Sequence, residues 1–214
     1  MHGIPARDGN PPLKEKPFDF QRRLKEISRF FEGTDEVHKT MRRVVKRLEK
    51  AKIPYAIVGG MAVNAHRHRR TTGDVDVLLT REGLEEFRKR FVPKYYEPVA
   101  GRSRRFVDRV NHITIDFLVT GMFPGSGKPG PIAFPEPLPA SEVIQNVRVI
   151  ELTMLIQLKL AAHRYQDFAD VVNLIAAHDL DESFADRLHS SLRRDYIECL
   201  EEKRREEEYE ARNG

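Results

Sequence analysis

Apolar residues recur along this chain with two periods, and the changes of period mark out its elements. In DEVHKTMRRVVKRLEKAK, Met41, Val44, Val45 and Leu48 return at three- and four-residue spacing among charged positions, which predicts an amphipathic helix. The preceding PFDFQRRLKEISRFF predicts a shorter helix with Phe20, Leu24, Ile27 and Phe30 or Phe31 on one face. After a break at Pro54, YAIVGG reads as a short buried strand ending in two glycines, and a helix starts at about Met61. TTGDVDVLLT then alternates polar and apolar positions, as a strand does. REGLEEFRKRF returns to helical spacing through Leu84, Phe87 and Phe91. SRRFVDR and HITIDFLV predict two strands joined by a tight turn near Val110 and Asn111. In the second, Ile113, Ile115 and Phe117 face one way, and Thr114, Asp116 and Leu118 the other.

From Gly121 to Ala140 neither period survives. Six prolines and four glycines in that stretch forbid a long helix or strand, and an irregular segment of such length is more often functional than filler. NVRVIE is a short strand beyond it. LTMLIQLKLAAH is apolar on most faces, hence a buried helix, with Lys159 its one cationic member. DFADVVNLIAAHD packs through Phe168, Val171, Val172 and Ile175, and LEEKRREEEYEARNG reads as a solvated helix that frays. The start of the chain, polar and carrying Pro5, Pro11, Pro12 and Pro17, is expected to be loose. Strands and helices alternate through the middle, with helices at both ends, so the class is α/β (α+β), and no internal repeat is visible.

Composition narrows the setting more than the function. No apolar run reaches the length of a membrane span, the N-terminus lacks a signal-peptide core, and Cys199 is the single cysteine; together these point to the cytoplasm. A formal charge of +4 is too small to imply nucleic-acid binding. Its distribution says more: His66-Arg67-His68-Arg69-Arg70 forms one basic cluster and Arg102, Arg104, Arg105 and Arg109 another. Cations around carboxylates are what a polyanionic substrate requires.

Asp74 and Asp76 are the most informative of those carboxylates. Two residues apart on a strand they share a face, with Cα atoms about 6.6 Å apart, so both can converge on one cation. Two ionised acids in so apolar a strand are unfavourable without compensation. Taken alone, such a pair also fits the wet end of an edge strand. Asp116 lies in another β-patterned segment, and if that strand neighbours TTGDVDV the three acids suit two hard divalent cations. Gly59 and Gly60 end a strand just before a helix, where backbone N–H groups can receive phosphate oxygens. Neither GxxxxGK[ST] nor GxGxxG is present. His66, His68 and His112 form no compact zinc set and are read as structural or surface residues. Asp108 is a weaker candidate whose strand context could face solvent. Tyr165 and Tyr196 are read as packing residues.

The segment IVGGMAVNAHRHRRTTGDVDVLLT, followed by Asp116, resembles the signature of the nucleotidyltransferase superfamily related to DNA polymerase beta. More closely, the chain is similar to small bacterial AbiEii-toxin-like nucleotidyltransferases, across roughly residues 38 to 178. The resemblance implies an N-terminal extension over 1–34, a catalytic core over 35–151 and a helical region over 152–214. It implies that Asp74, Asp76 and Asp116 are catalytic and hold two Mg2+ (or Mn2+) ions, Asp116 binding the catalytic ion with a part in activating the acceptor hydroxyl. It implies nucleoside triphosphate contacts from Gly59, Gly60, Arg70, Thr71, Thr72, Lys159, Arg164 and Asp167, with Arg69 beside them. Met61 departs from the pattern, since many members carry a phosphate-binding serine there. The implied activity is transfer of a nucleoside monophosphate from an NTP to a hydroxyl of tRNA, protein or a small molecule, with an antitoxin as a possible partner. Lys159 alternatively pairs with Asp167 or Asp170. Two rival readings are a catalytically inactive RNA-binding module with this fold and a phosphotransferase moving the γ-phosphoryl group.

Overall fold

The computed structural model describes residues 19–213; the proline-bearing start of the chain lies outside the described residues. Its architecture is a mixed seven-stranded sheet with flanking helices and a long C-terminal helix. The strands are β1 (Tyr55–Ile57), β2 (Asp74–Leu79), β3 (Tyr96–Val99), β4 (Arg102–Asp108), β5 (Thr114–Val119), β6 (Ser141–Ile144) and β7 (Val147–Ile150). They lie in the order β3-β4-β5-β2-β1-β7-β6. The pairs β2/β5 and β1/β7 are parallel and the others antiparallel.

The helices start where the side-chain chemistry requires. α1 (Phe20–Phe31) begins on Asp19, whose carboxylate accepts from the Arg22 N–H at 3.0 Å. α2 (Glu36–Ala51) begins on Asp35, which accepts from the Val37 N–H at 2.7 Å, and α4 (Arg81–Phe91) on the Thr80 hydroxyl, 3.0 Å from the Gly83 nitrogen. Each cap satisfies donors that the first turn leaves without an intrahelical partner. α2 buries Val37, Val44, Val45 and Leu48, as its periodicity predicts. α3 (Gly59–Ala65) opens two residues earlier than expected, so both glycines lie in its first turn. α5 (Leu152–Ala162), α6 (Tyr165–His178) and α7 (Arg193–Asn213) complete the chain.

Strand alternation divides the sheet's two faces. Val75 and Val77 of β2 and Ile115 and Phe117 of β5 are fully buried. Phe87 of α4 packs on that face, its ring 4.5 Å from Phe117 and 5.6 Å from Phe106. The opposite face carries Asp74, Asp76 and Asp116, so the packing that burial of aromatic area drives also fixes where the acids point.

Several expectations change. β3 and β6 were not read as strands; both are sheet edges, where one neighbour suffices and Pro98 is tolerated, so they lack an alternating signature. On α1 only Phe30 is buried, while Leu24, Ile27 and Phe31 remain at the surface, Phe31 beneath the Arg69 guanidinium at 4.7 Å. Tyr165 is no packing residue: at 97% exposure it stands out from the start of α6, whereas Tyr196 is fully buried. Asp108 does not face solvent but is buried, accepting from Arg43 at 2.6 Å and from the Asn111 N–H at 2.9 Å. The tail stays helical through Asn213, with side-chain pairs such as Lys203–Glu207 at 2.7 Å along its exposed surface.

Candidate active site

The three acids meet. β2 and β5 run parallel with Asp76 directly opposite Asp116, and Asp74 lies two residues along the same face. One carboxylate oxygen from each falls within 4.8 Å of the others. The register continues across β4, where Arg105 faces Asp116. Arg105, Asp116 and Asp76 therefore form one row across three strands. The Arg105 guanidinium grips Asp116 with both hands, Nε donating to Oδ1 at 2.7 Å and Nη2 to Oδ2 at 2.6 Å. Asp74 accepts from the Thr72 hydroxyl at 2.8 Å.

Asp76 has no such help. Among the described residues none donates a hydrogen bond to its carboxylate. Burial, then the negative charges of Asp74 and Asp116, push its pKa from the ordinary 3.8 up to about 7, against weaker opposition from Lys159 and Arg164. Gly59 explains how the backbone comes so near. It adopts φ +59°, and a Cβ there would lie 1.9 Å from Asp76 Oδ2. Gly60 is needed for a similar reason, since its Cβ would meet the Thr72 side chain at 2.8 Å and Arg70 Nη2 at 3.2 Å.

A second charged cluster borders the first. Lys159 is buried and donates to Asp167 at 3.0 Å and Asp170 at 2.5 Å. Arg164 Nε adds a 2.6 Å bond to Asp167, and Arg70 Nη2 a 3.0 Å bond to Asp170. Of the two sequence readings for Lys159, the geometry displays the pairing with both acids. Asn64 staples the segment between α3 and β2, donating to the carbonyls of Gly60 at 2.9 Å and Arg70 at 2.6 Å.

These groups line a cleft of about 790 Å3. Gly59, Gly60, Arg70, Thr72, Asp74, Asp76, Asp116, Lys159, Arg164 and Asp167 all border it; Thr71 does not. The irregular segment forms another wall through Phe123 to Gly127 and Phe134. It is anchored: the Gly121 N–H donates to the Phe134 carbonyl at 2.9 Å, the Phe134 N–H to the Met122 carbonyl at 2.7 Å, and Ile132 and Phe134 are buried. Gly125, at φ +65°, presses so close to the Ala162 carbonyl that a Cβ would sit 2.5 Å away. The histidines stay apart from the acids, His66 being buried with its ring nitrogen 2.8 Å from the Ile150 carbonyl. Among the described residues, only Asp74, Asp76 and Asp116 form a group fit to hold a metal ion.

Two residues of the site were missed as such. Asn64 gives no signal beyond its helix position. Arg105 was visible only as one of a basic cluster, yet a hairpin turning between Val110 and Asn111 must set residue 105 opposite residue 116, each five positions from the turn.

No family model and no curated protein matches the sequence. Solved structures resemble the backbone in part. JHP933 from Helicobacter pylori is 17% identical over 71% of each chain, with a TM-score of 0.43. ANT(2'')-Ia, solved in complex with adenylyl-2''-tobramycin, is 12% identical over 75% of this chain and 96% of its own, with a TM-score of 0.47. Likeness at that level is partial, and the functional argument rests on the side chains.

Proposed function

We propose that this protein is a divalent-metal-dependent nucleotidyltransferase, moving a nucleoside monophosphate from a nucleoside triphosphate to an acceptor hydroxyl. The observation that carries the reading is the meeting of Asp74, Asp76 and Asp116 on one sheet face, within 4.8 Å, at the floor of an arginine-lined cleft. The donor set fits Mg2+ or Mn2+, which prefer carboxylate oxygens. Asp76 fits especially, because among the described residues none donates a hydrogen bond to its carboxylate, and its burial beside two other acids outweighs the more distant charges of Lys159 and Arg164. Asp74, Asp76 and Asp116 would hold such ions, whose chemistry there would be activation of the acceptor hydroxyl and neutralisation of charge on the leaving pyrophosphate.

The chain's own residues do the rest. Asp74 and Asp76 bind and orient, with the Thr72 hydroxyl fixing the Asp74 carboxylate. Arg105 sets the plane of Asp116 beside them. The backbone at Gly59 and Gly60 brings the first turn of α3 against the acids, where N–H groups without helical partners suit phosphate oxygens. The buried Lys159 network locks α5 and α6 to the segment before β2 and so holds Arg70 and Arg164 at the cleft. Phe123 to Gly127 form one wall of it.

The mouth favours RNA among hydroxyl acceptors. Arg102 and Arg164 are exposed there and Arg104 is half-buried, a lining that repels a polycationic small molecule and attracts a phosphate backbone. Tyr165, between cleft-lining Arg164 and Gln166, offers a bare ring on which an unpaired base can stack.

The test is incubation with α- and γ-labelled triphosphates and Mg2+, in the presence of RNA, protein and aminoglycoside acceptors. Label from the α position should appear on the RNA, and Asp74→Ala and Asp76→Ala should abolish it while folding is retained. Transfer of γ label would make the protein a kinase-like phosphotransferase. RNA binding with no transfer and no metal requirement would make it a silent binding module.

A further inference from the structure

Arg105 does more than decorate the acidic row. Its guanidinium occupies both oxygens of Asp116, and the two residues face each other on neighbouring strands, so the pair is built into the sheet. With the acids ionised, three carboxylates and one guanidinium leave the cluster at a formal −2, the charge one divalent cation balances. Among the described residues no further cation is hydrogen-bonded to it, and Lys159 and Arg164 act on Asp76 only from a distance. Lys159, Arg70 and Arg164 are bonded to Asp167 and Asp170, and Thr72 brings a hydroxyl without charge. A second divalent ion would have to share Asp116 with Arg105 and would leave the cluster positively charged, unless an anionic triphosphate entered with it.

We propose that Arg105 restricts the nucleotide-free site to a single divalent cation, seated on Asp74 and Asp76, so that the second is admitted only together with the triphosphate. The inference rests on the nucleotidyl-transfer reading and adds to it a device against idle loading of the site. Arg105 is in this sense a positioning residue: it acts through Asp116. With 43% of its side chain exposed, it stands at the cleft wall, free to turn toward phosphate oxygens when Asp116 is drawn to a metal.

The experiment titrates the full chain with Mn2+ in the absence of nucleotide, reading free Mn2+ by electron paramagnetic resonance and folding by circular dichroism. Wild type should bind one ion. Arg105→Gln should bind a second, at least about tenfold more tightly than wild type, which is about 1.4 kcal/mol. Arg105→Lys, which keeps the charge, should restore one-ion behaviour. Wild type binding two ions of similar affinity would overturn the role of Arg105 and leave the transfer reading intact, whatever the variants do. A folded Arg105→Gln indistinguishable from wild type would do the same. Absence of Mn2+ binding in all three proteins would overturn both.

Discussion

Gly59→Ala perturbs the site by one methyl group, and the structure sets the scale of the damage. At φ +59° an alanine incurs the left-handed penalty of about 1–2 kcal/mol. The added carbon would then lie 1.9 Å from Asp76 Oδ2, 2.7 Å from Cγ and 2.9 Å from Cβ, against 3.4 Å for ordinary contact. The difference, 3.4 less 1.9, requires a displacement of 1.5 Å. Asp76 has little room to give it. Its strand pairs on both sides, its carbonyl accepts from the Val58 N–H at 3.1 Å, and Asp74 and Asp116 crowd its carboxylate. A misplacement of about 1 Å at a reacting centre costs on the order of 100-fold in rate. Turnover should therefore fall by about two orders of magnitude or more, Mn2+ affinity should weaken, and stability should drop by roughly 1–3 kcal/mol. Gly73→Ala is the control, because a Cβ there meets nothing within 4 Å. The assays are α-label transfer, Mn2+ titration and thermal melting on both variants. A folded Gly59→Ala protein with wild-type turnover and metal affinity would show that the close approach to Asp76 has no part in the chemistry.

Asp76→Asn should stabilise the metal-free protein while abolishing transfer. The folded state raises the Asp76 pKa from 3.8 to about 7, so it holds a proton that the unfolded chain releases, and stability falls as pH rises through that window. Removing the charge should raise the free energy of urea unfolding at pH 8 by something on the order of 2 kcal/mol, with no gain at pH 3; an unchanged or lowered free energy at pH 8 would contradict this. Lys159→Met leaves Asp167 and Asp170 buried without their shared cation, and should cost about 3–5 kcal/mol in urea unfolding. A loss below about 1 kcal/mol would mean that the lysine is solvated. Deleting residues 126–130, which are exposed, leaves the anchors Ile132 and Phe134 in place. The acceptor KM should rise about tenfold and the triphosphate KM stay within about twofold, as for a wall that selects the acceptor; equal changes in both would refute that division.

Much of the acidic row was legible because strand periodicity is short-range information. The spacing of Asp74 and Asp76 places them on one face of any strand, and the alternation around Asp116 does the same for the third acid. That Asp76 and Asp116 stand opposite each other depends on a parallel pairing between segments separated by α4, β3 and β4, which local pattern cannot supply. The buried network was half-visible: a lone lysine on an apolar helix demands a counter-ion, but whether it turns to Asp167 and Asp170 or to a substrate is decided by how α5 meets α6. Polarity misled in both directions. Asp108 looked solvated and is buried, because Arg43 reaches it from α2; Tyr165 looked like core and is bare at the first position of α6, while Asp167 of the same turn is the residue that turns inward. The edge strands β3 and β6, paired on one side, carried too few constraints to leave a pattern.

How the chain distributes its counter-charges separates structural acids from chemical ones. Asp108 has Arg43, Asp167 has Lys159 and Arg164, and Asp170 has Lys159 and Arg70, each pair spanning different elements or turns that it ties together. These carboxylates hold cationic partners in place, the buried Lys159 among them, which is a structural function. Asp116 is intermediate, gripped by an arginine that is itself partly exposed and therefore releasable. Asp74 is met by a hydroxyl, whereas Asp76 crowds two other acids and the backbone of Gly59, with Lys159 and Arg164 acting on it only from a distance. A fold that hydrogen-bonds cations to three buried acids and none to the most crowded one leaves that acid poorly compensated, at a cost in stability when it ionises. Folding gains nothing from it, whereas a site that must attract a divalent cation and a triphosphate requires it. That no described residue hydrogen-bonds Asp76, in a molecule that supplies partners to the acids nearby, is thus the electrostatic argument for the proposed chemistry at this cleft.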